Sequence, residues 1–291
     1  MRPTIIAWTH FSSNALKYRT ADGRSVWACV KTSTGCEKCY SAVLAKRYGR
    51  GGPFNAGEMA KLTPYLDPME LRTLLTSQAI AGKRVFVGDM TDLAGNWVPE
   101  DFLTTLFAVF ALRPDVTWQL LTKRPARYAA FAKAMTSAAC HAAMARTKAE
   151  MNLPRLSGRA PRWPLPNVWA GTSTENQATA DERIPQLLSA PAAVHWISYE
   201  PALSAINIAR FLGRDKISWV VQGGESGAGF RPMDLNWARS VRAQCQAAGV
   251  AYFFKQQSHF FTERGIELDG EIVREYPTVR SPRTRHHLRR R

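Results

Sequence analysis

The sequence predicts an α/β fold, a (β/α) barrel of complete or partial TIM type. Short β-rich runs recur along the chain, and helix-like sequence follows most of them. The runs are also nearly continuous in apolar residues, as strands buried on both faces are. They lie at residues 4–8, 84–88 (RVFVG), 117–121 (TWQLL), 167–171 (NVWAG), 194–198 (VHWIS), 217–222 (ISWVVQ) and 251–254 (AYFF). Amphipathic stretches at 68–78, 100–112, 181–188 and 236–248 supply helices between them. About seven such units favour a closed or nearly closed barrel over an open sheet.

The elements follow in order. Residues 4–8 (TIIAW) read as the first strand, and 11–26 as an insertion before a cysteine-bearing loop. Residues 40–48 read as a helix leaving that loop. The segment at about 126–166 breaks the rhythm. It is an Ala/Met/Lys-rich helical stretch followed by LPRLSGRAPRWPLP, and it reads as an insertion between two barrel units. Its Arg146, Lys148, Arg155, Arg159 and Arg162 suit a nucleic-acid backbone, with the Trp163 indole available for stacking. A solvated helical hairpin is the alternative. Residues 1–275 make one barrel, and 276–291 a basic tail that is expected to be disordered alone.

Composition narrows the class. A chain of 291 residues with 45% hydrophobic content fills one barrel without needing a second domain. No apolar run reaches membrane-spanning length, and MRPTIIAWTH lacks the features of a signal peptide. The expectation is a cytoplasmic protein with no membrane partner, in a reducing compartment where clustered cysteines serve as metal ligands rather than disulfides. The net charge of +16 calls for a polyanionic partner, nucleic acid first. RSPRTRHHLRRR at the C-terminus supplies +6 of it through six arginines, leaving +10 for the body. Such a tail binds phosphate without reading sequence.

Cys29, Cys36 and Cys39 form a C-x6-C-x2-C pattern, three of only five cysteines, on a loop that runs into a helix. Three thiolates there make a metal site with one position open for chemistry. A structural zinc site with His10 as fourth ligand is the alternative.

The strand ends are polar. In barrel enzymes the active site lies at the C-terminal ends of the strands. Here those ends carry Asp89 and Asp92, then Lys123 and Arg124, then Ser173 and Glu175, then Glu200, then Glu225, then Lys255. Six polar ends on one predicted face exceed what helix capping needs. Glycines at 223–227 fit neither nucleotide-phosphate fingerprint and read as room for close approach of backbone to ligand.

These pieces together resemble a known family. GCEKCYSAVLAKRYG, VFVGDMTDL, WQLLTKRP, NVWAGTSTEN, ADERIPQL, ISYEPAL, WVVQGGESG, RPM and FFKQ are similar to phage-encoded three-cysteine proteins near spore photoproduct lyase in the radical SAM superfamily. The likeness runs from Trp8 to about Phe260. It departs from the commonest C-x3-C-x2-C spacing, and Lys38 precedes the last cysteine where an aromatic is usual. The resemblance implies a [4Fe–4S] cluster held by Cys29, Cys36 and Cys39, with S-adenosyl-L-methionine on the open iron giving a 5′-deoxyadenosyl radical.

The resemblance, with position in the chain, assigns the other roles. Asp89, Asp92, Ser173, Glu175 and Glu200 bind the cofactor, Glu225 and Lys255 act in catalysis, and Lys123, Arg124 and Lys255 suit a carboxylate or phosphate. Cys140 and Cys245 read as packing residues. The implied partners are DNA bearing a modified thymidine and an electron donor such as flavodoxin or ferredoxin. The expected reaction isomerises or remodels a substituent on the thymidine 5-position of phage DNA in the host cytoplasm, protecting it from restriction. A thymine-lesion repair lyase and a zinc-stabilised, non-catalytic DNA-binding protein are the other readings.

Overall fold

Seven parallel strands form one curled sheet with helices on its convex side, a half-barrel rather than a closed one. The structure is a computed structural model that describes residues 2–156, 158 and 160–278. Arg159 and the predicted tail from residue 279 onward lie outside the described residues.

In chain order the strands are β1 (Arg2–Pro3), β2 (Phe11–Ser13), β3 (Leu16–Arg19), β4 (Ser25–Val26), β5 (Thr63–Leu66) and β6 (Arg84–Val87). They continue with β7 (Thr117–Thr122), β8 (Val168–Thr174), β9 (Val194–Tyr199), β10 (Ile217–Gly223) and β11 (Ala251–Gln256). The helices are α1 (Tyr40–Arg47), α2 (Ala56–Met59), α3 (Pro68–Thr76), α4 (Glu100–Leu112), α5 (Pro125–Ala134), α6 (Ser137–Glu150), α7 (Gln177–Leu188) and α8 (Leu235–Ala248). The main sheet runs β1-β2-β6-β7-β8-β9-β10-β11, with only β1 antiparallel to its neighbour. A small antiparallel sheet, β4-β3-β5, stands beside it. β2 and β11 do not pair, so the barrel stays open. The free edge of β11 is partly covered where Phe254 N–H donates to Val273 O (2.8 Å) and Glu275 N–H to Tyr252 O (3.1 Å).

Six of the seven predicted strands form at the expected places. The first does not. Residues 4–8 turn instead, with Thr9 N–H donating to Ile6 O (3.2 Å), because Trp8 is needed elsewhere. Its indole, 2% exposed, enters the concave face and meets Phe86 at 4.8 Å and Trp196 at 5.1 Å. The first parallel strand is β2, which pairs with β6 through Phe11↔Val85 and Ser13↔Val87. Residues 11–26 are therefore not an insertion. They supply this strand and two strands of the small sheet.

The segment at 126–166 also reads differently. α5 is an ordinary crossover helix packed against α7, and only α6 and the loop after it are extra. α6 packs on α4, one layer outside the sheet, so its basic side chains lie on the convex side. Trp163 is not free for stacking. Its indole N–H donates to Ala132 O (3.0 Å), and its ring lies 5.5 Å from Phe107.

Alternation along the strands divides the two faces. Val85, Trp118, Val168, Ala170, Ile197, Val220, Tyr252 and Phe254 pack under the helices. Phe86, Trp169, Trp196, Trp219 and Phe253 point inward and, with Trp8, plug the N-terminal half of the concave face. Gly171 makes room for this plug: a Cβ there would lie 2.4 Å from the Trp196 ring. With its lower half filled by aromatics, the curl is open only at the C-terminal ends of the strands.

Candidate active site

The loop from Trp27 to Cys39 lies across this open end. All three of its cysteines are unpaired thiols, half-buried. Its start is braced from below. Trp27 N–H donates to Arg50 O (2.7 Å), Lys31 N–H to Phe54 O (3.3 Å), and Cys29 packs beside Phe54, Ala45 and Met90. Gly51 permits this, since a Cβ there would meet Trp27 O at 2.5 Å. Its end feeds α1, whose first residues are pinned to β6: Tyr40 Oη (2.9 Å) and Ser41 Oγ (2.7 Å) donate to Asp89 O.

Two arginines grip the loop from opposite sides. Arg124 donates through Nη2 to Val30 O (2.9 Å) and through Nη1 to Asp92 Oδ2 (3.0 Å). Asp92, 7% exposed, also accepts from Thr122 Oγ1 (2.6 Å), Ala94 N–H (3.0 Å) and Lys123 N–H (3.1 Å). These bonds use about all the lone-pair directions of a carboxylate. Asp92, assigned to the cofactor by resemblance, is thus committed to protein groups and acts on the loop through Arg124.

Arg231 is the second grip. Its Nη2 donates to Thr34 O (3.0 Å) and its Nη1 to Glu37 Oε2 (3.1 Å). Glu225, 6% exposed, holds it through Nη2 (2.5 Å), Nε (3.0 Å) and the backbone N–H (2.9 Å). Burial alone pushes the Glu225 carboxyl up, but the Arg231 hydrogen bonds outweigh it and hold the group below its ordinary range. Glu225, expected in catalysis, is committed to Arg231. Lys38 adds a third tie by donating to Gly229 O.

Under the loop the remaining strand ends are less committed. Glu175 is fully buried; its Oε2 pairs with Arg183 (3.0 Å), while Oε1 is buried with no partner among the described residues. A Cβ on Gly35 would lie 3.2 Å from that oxygen, which places it directly beneath the Thr34–Cys36 turn. Ser173 is inward-facing and buried, and its hydroxyl makes no hydrogen bond among the described residues. Glu200 accepts from Ser198 Oγ (3.1 Å) and pairs with Lys255 (3.0 Å) over Gly223, where a Cβ would meet Glu200 Oε1 at 2.7 Å. Lys123 is half-buried and makes no ion pair among the described residues. Asp89 accepts from Asn14 Nδ2, and burial pushes its carboxyl up to about 6 against that hydrogen bond.

Residues 5–277 match the family model described as Protein of unknown function (DUF5131). The chain belongs to this family. No curated protein and no solved structure matches it.

The DUF5131 chain brings the three cysteines and the strand-end residues Asp89, Asp92, Lys123, Arg124, Ser173, Glu175, Glu200, Glu225 and Lys255 to one end of the sheet. The zinc alternative loses its fourth ligand. His10 Nδ1 accepts from Arg84 N–H (3.0 Å) at the start of β6, the end of the sheet opposite the cysteines. Cys140 and Cys245 are fully buried in α6 and α8, away from the mouth. Among the described residues no three His, Cys, Asp or Glu side chains converge on one metal position as they stand. The Cys29 thiol instead points to Val30 O at 3.8 Å, and burial, then Asp92, pushes it up to about 12. Loading a metal requires these thiols to converge and release protons. Three free thiols on a loop tied down by two arginines, above a buried unpaired carboxylate oxygen, are a donor set that fits a thiolate-bound cluster and a polar ligand beside it.

Arg231, Arg183, Asn14 and Glu37 escaped the reading by residue type. RPM stands among the matching pieces, but only the fold shows that its arginine reaches Thr34.

Proposed function

We propose that this protein is a radical SAM enzyme that isomerises or remodels a substituent on the 5-position of thymidine in phage DNA. A [4Fe–4S] cluster is held by Cys29, Cys36 and Cys39. Ser173, Glu175 and Glu200 would hold S-adenosyl-L-methionine beside it. Together, when bound, the two cofactors supply one-electron chemistry able to remove a hydrogen atom from an unactivated carbon. The observation that carries the reading is the juxtaposition of three free thiols with a Glu175 Oε1 that has no partner among the described residues, at the open end of a parallel half-barrel.

The chain's own residues then have separable tasks. Asp92 with Arg124, and Glu225 with Arg231, hold the cysteine loop at a fixed height. Glu175 and Ser173 offer an acceptor and a hydroxyl to a polar ligand. Lys255, paired with Glu200, is the cation placed to meet a carboxylate or phosphate of the substrate. The aromatic floor keeps water out from below. The charge of +16 suits a DNA substrate, whose target base must leave the helix to enter the mouth. An electron donor such as flavodoxin or ferredoxin completes the requirement.

The test is an anaerobic assay with S-adenosyl-L-methionine, reductant and DNA carrying candidate 5-substituted thymidines. It monitors 5′-deoxyadenosine and nucleoside mass together. An altered thymidine substituent is expected. Restored thymine would mark a repair lyase instead, and neither product from any DNA would overturn the reading.

A further inference from the structure

The rim of the mouth carries two apolar rings that the site itself does not use. Phe260 and Phe261 follow β11 and are 55% and 60% exposed, edge to face with centroids 5.0 Å apart. The loop that bears them is built, not slack. His259 N–H donates to Glu225 O (3.2 Å), Gly227 N–H to His259 O (3.1 Å), and Phe261 N–H to His259 Nδ1 (2.9 Å). Behind it, buried Gln256 accepts through Oε1 from Glu263 N–H (2.6 Å) and Thr262 Oγ1 (3.1 Å). These bonds hold Glu263 at φ 57°, a left-handed conformation uncommon for a residue with a side chain. Glu225 is also the residue whose carboxylate holds Arg231, and Arg231 holds Thr34 O. The two rings thus stand one loop away from the cysteines, on the same rim.

Two partners suit exposed rings. A stable protein interface needs on the order of 1,000 Å² of buried surface, far more than one pair of phenylalanines supplies. A nucleic-acid base needs only one aromatic face. The surroundings favour the base: Arg264 is exposed on the same loop without an ion pair among the described residues, and the chain carries +16. Resting on the DNA reading above, we propose that Phe260 and Phe261 form a stacking wedge that fills the gap beside a base drawn out of DNA into the mouth.

The experiment uses the full chain and a short duplex carrying 2-aminopurine next to a thymidine. Anisotropy reports binding, and 2-aminopurine fluorescence reports unstacking. The wild type is expected to bind with a steep salt dependence and to raise the fluorescence. Phe260→Ala/Phe261→Ala is expected to fold normally, to bind about tenfold or more weakly and to lose the rise, with Trp at both positions restoring it. An equal rise in the alanine variant would overturn the wedge and leave the DNA reading standing. No binding by the wild type would overturn both. Loss of reduction by an added flavodoxin with an unchanged fluorescence rise would assign the rings to a protein partner and also overturn the wedge.

Discussion

Removing the Arg231 side chain is the sharpest perturbation of the cysteine loop. Arg231→Ala deletes the bonds to Thr34 O (3.0 Å) and Glu37 (3.1 Å) and strands Glu225, whose side chain is 5% exposed, without its counter-charge. A buried ion whose partner is removed costs about 3–5 kcal/mol. The Arg231 side chain is 27% exposed and its backbone N–H still reaches Glu225, so the expected loss is about 2–3 kcal/mol. The assay is denaturant unfolding of the apoprotein, paired with iron content after anaerobic reconstitution. Both should fall. Glu225→Ala should fall similarly, and the double variant should lose far less than the sum, with a coupling of about 1–3 kcal/mol. Arg231→Lys keeps the charge but not the fork, and should restore stability more than iron content. Additive losses, or full iron loading in Arg231→Ala, would refute the claim that Glu225 acts through Arg231 on the loop.

Three further outcomes follow from other features of the chain. Gly35→Ala sets a methyl 3.0 Å from the Glu175 carboxyl carbon and should lower iron content by lifting the turn, whereas Gly57→Ala, on α2 with its nearest atom at 3.4 Å, should not. Asp89→Asn should stabilise the protein by about 2–3 kcal/mol above pH 6 and by nothing below about pH 4, read as a Tm series, because burial raises this carboxyl and its penalty appears only once it ionises. Deleting residues 280–291 removes six arginines and should flatten the salt dependence of DNA binding; an unchanged slope would mean that the tail does not touch DNA.

Much of the fold was legible because strands buried on both faces announce themselves as short apolar runs, and six of these formed. Residues 4–8 carry the same pattern but turn, since β propensity cannot reveal that Trp8 must drop into a plug made by Trp196 and Trp219. The strand-end rule foresaw the grouping: Asp89, Asp92, Ser173, Glu175, Glu200, Glu225 and Lys255 all lie at the C-terminal ends of the strands. What it could not find is which of them are already spent. Asp92 and Glu175 look alike in sequence, yet one is saturated and the other keeps an oxygen unpaired. That distinction depends on Arg124 and Arg183, partners fixed by packing. Arg231 meets Thr34 across 197 residues of chain, a distance that no local pattern spans. The long first cysteine gap also gains a reason. Residues 30–35 present the two carbonyls, Val30 O and Thr34 O, that the arginines grip.

Every proposed role at the mouth of the half-barrel depends on an iron–sulfur cluster held by the three cysteines. Metal and acid-labile sulfide analysis after anaerobic reconstitution tests it most directly, on the wild type and on Cys29→Ala, Cys36→Ala and Cys39→Ala. Iron and sulfide in the ratio of one [4Fe–4S] cluster per chain are expected in the wild type and are lost in each variant. Stoichiometric zinc without labile sulfide would contradict this.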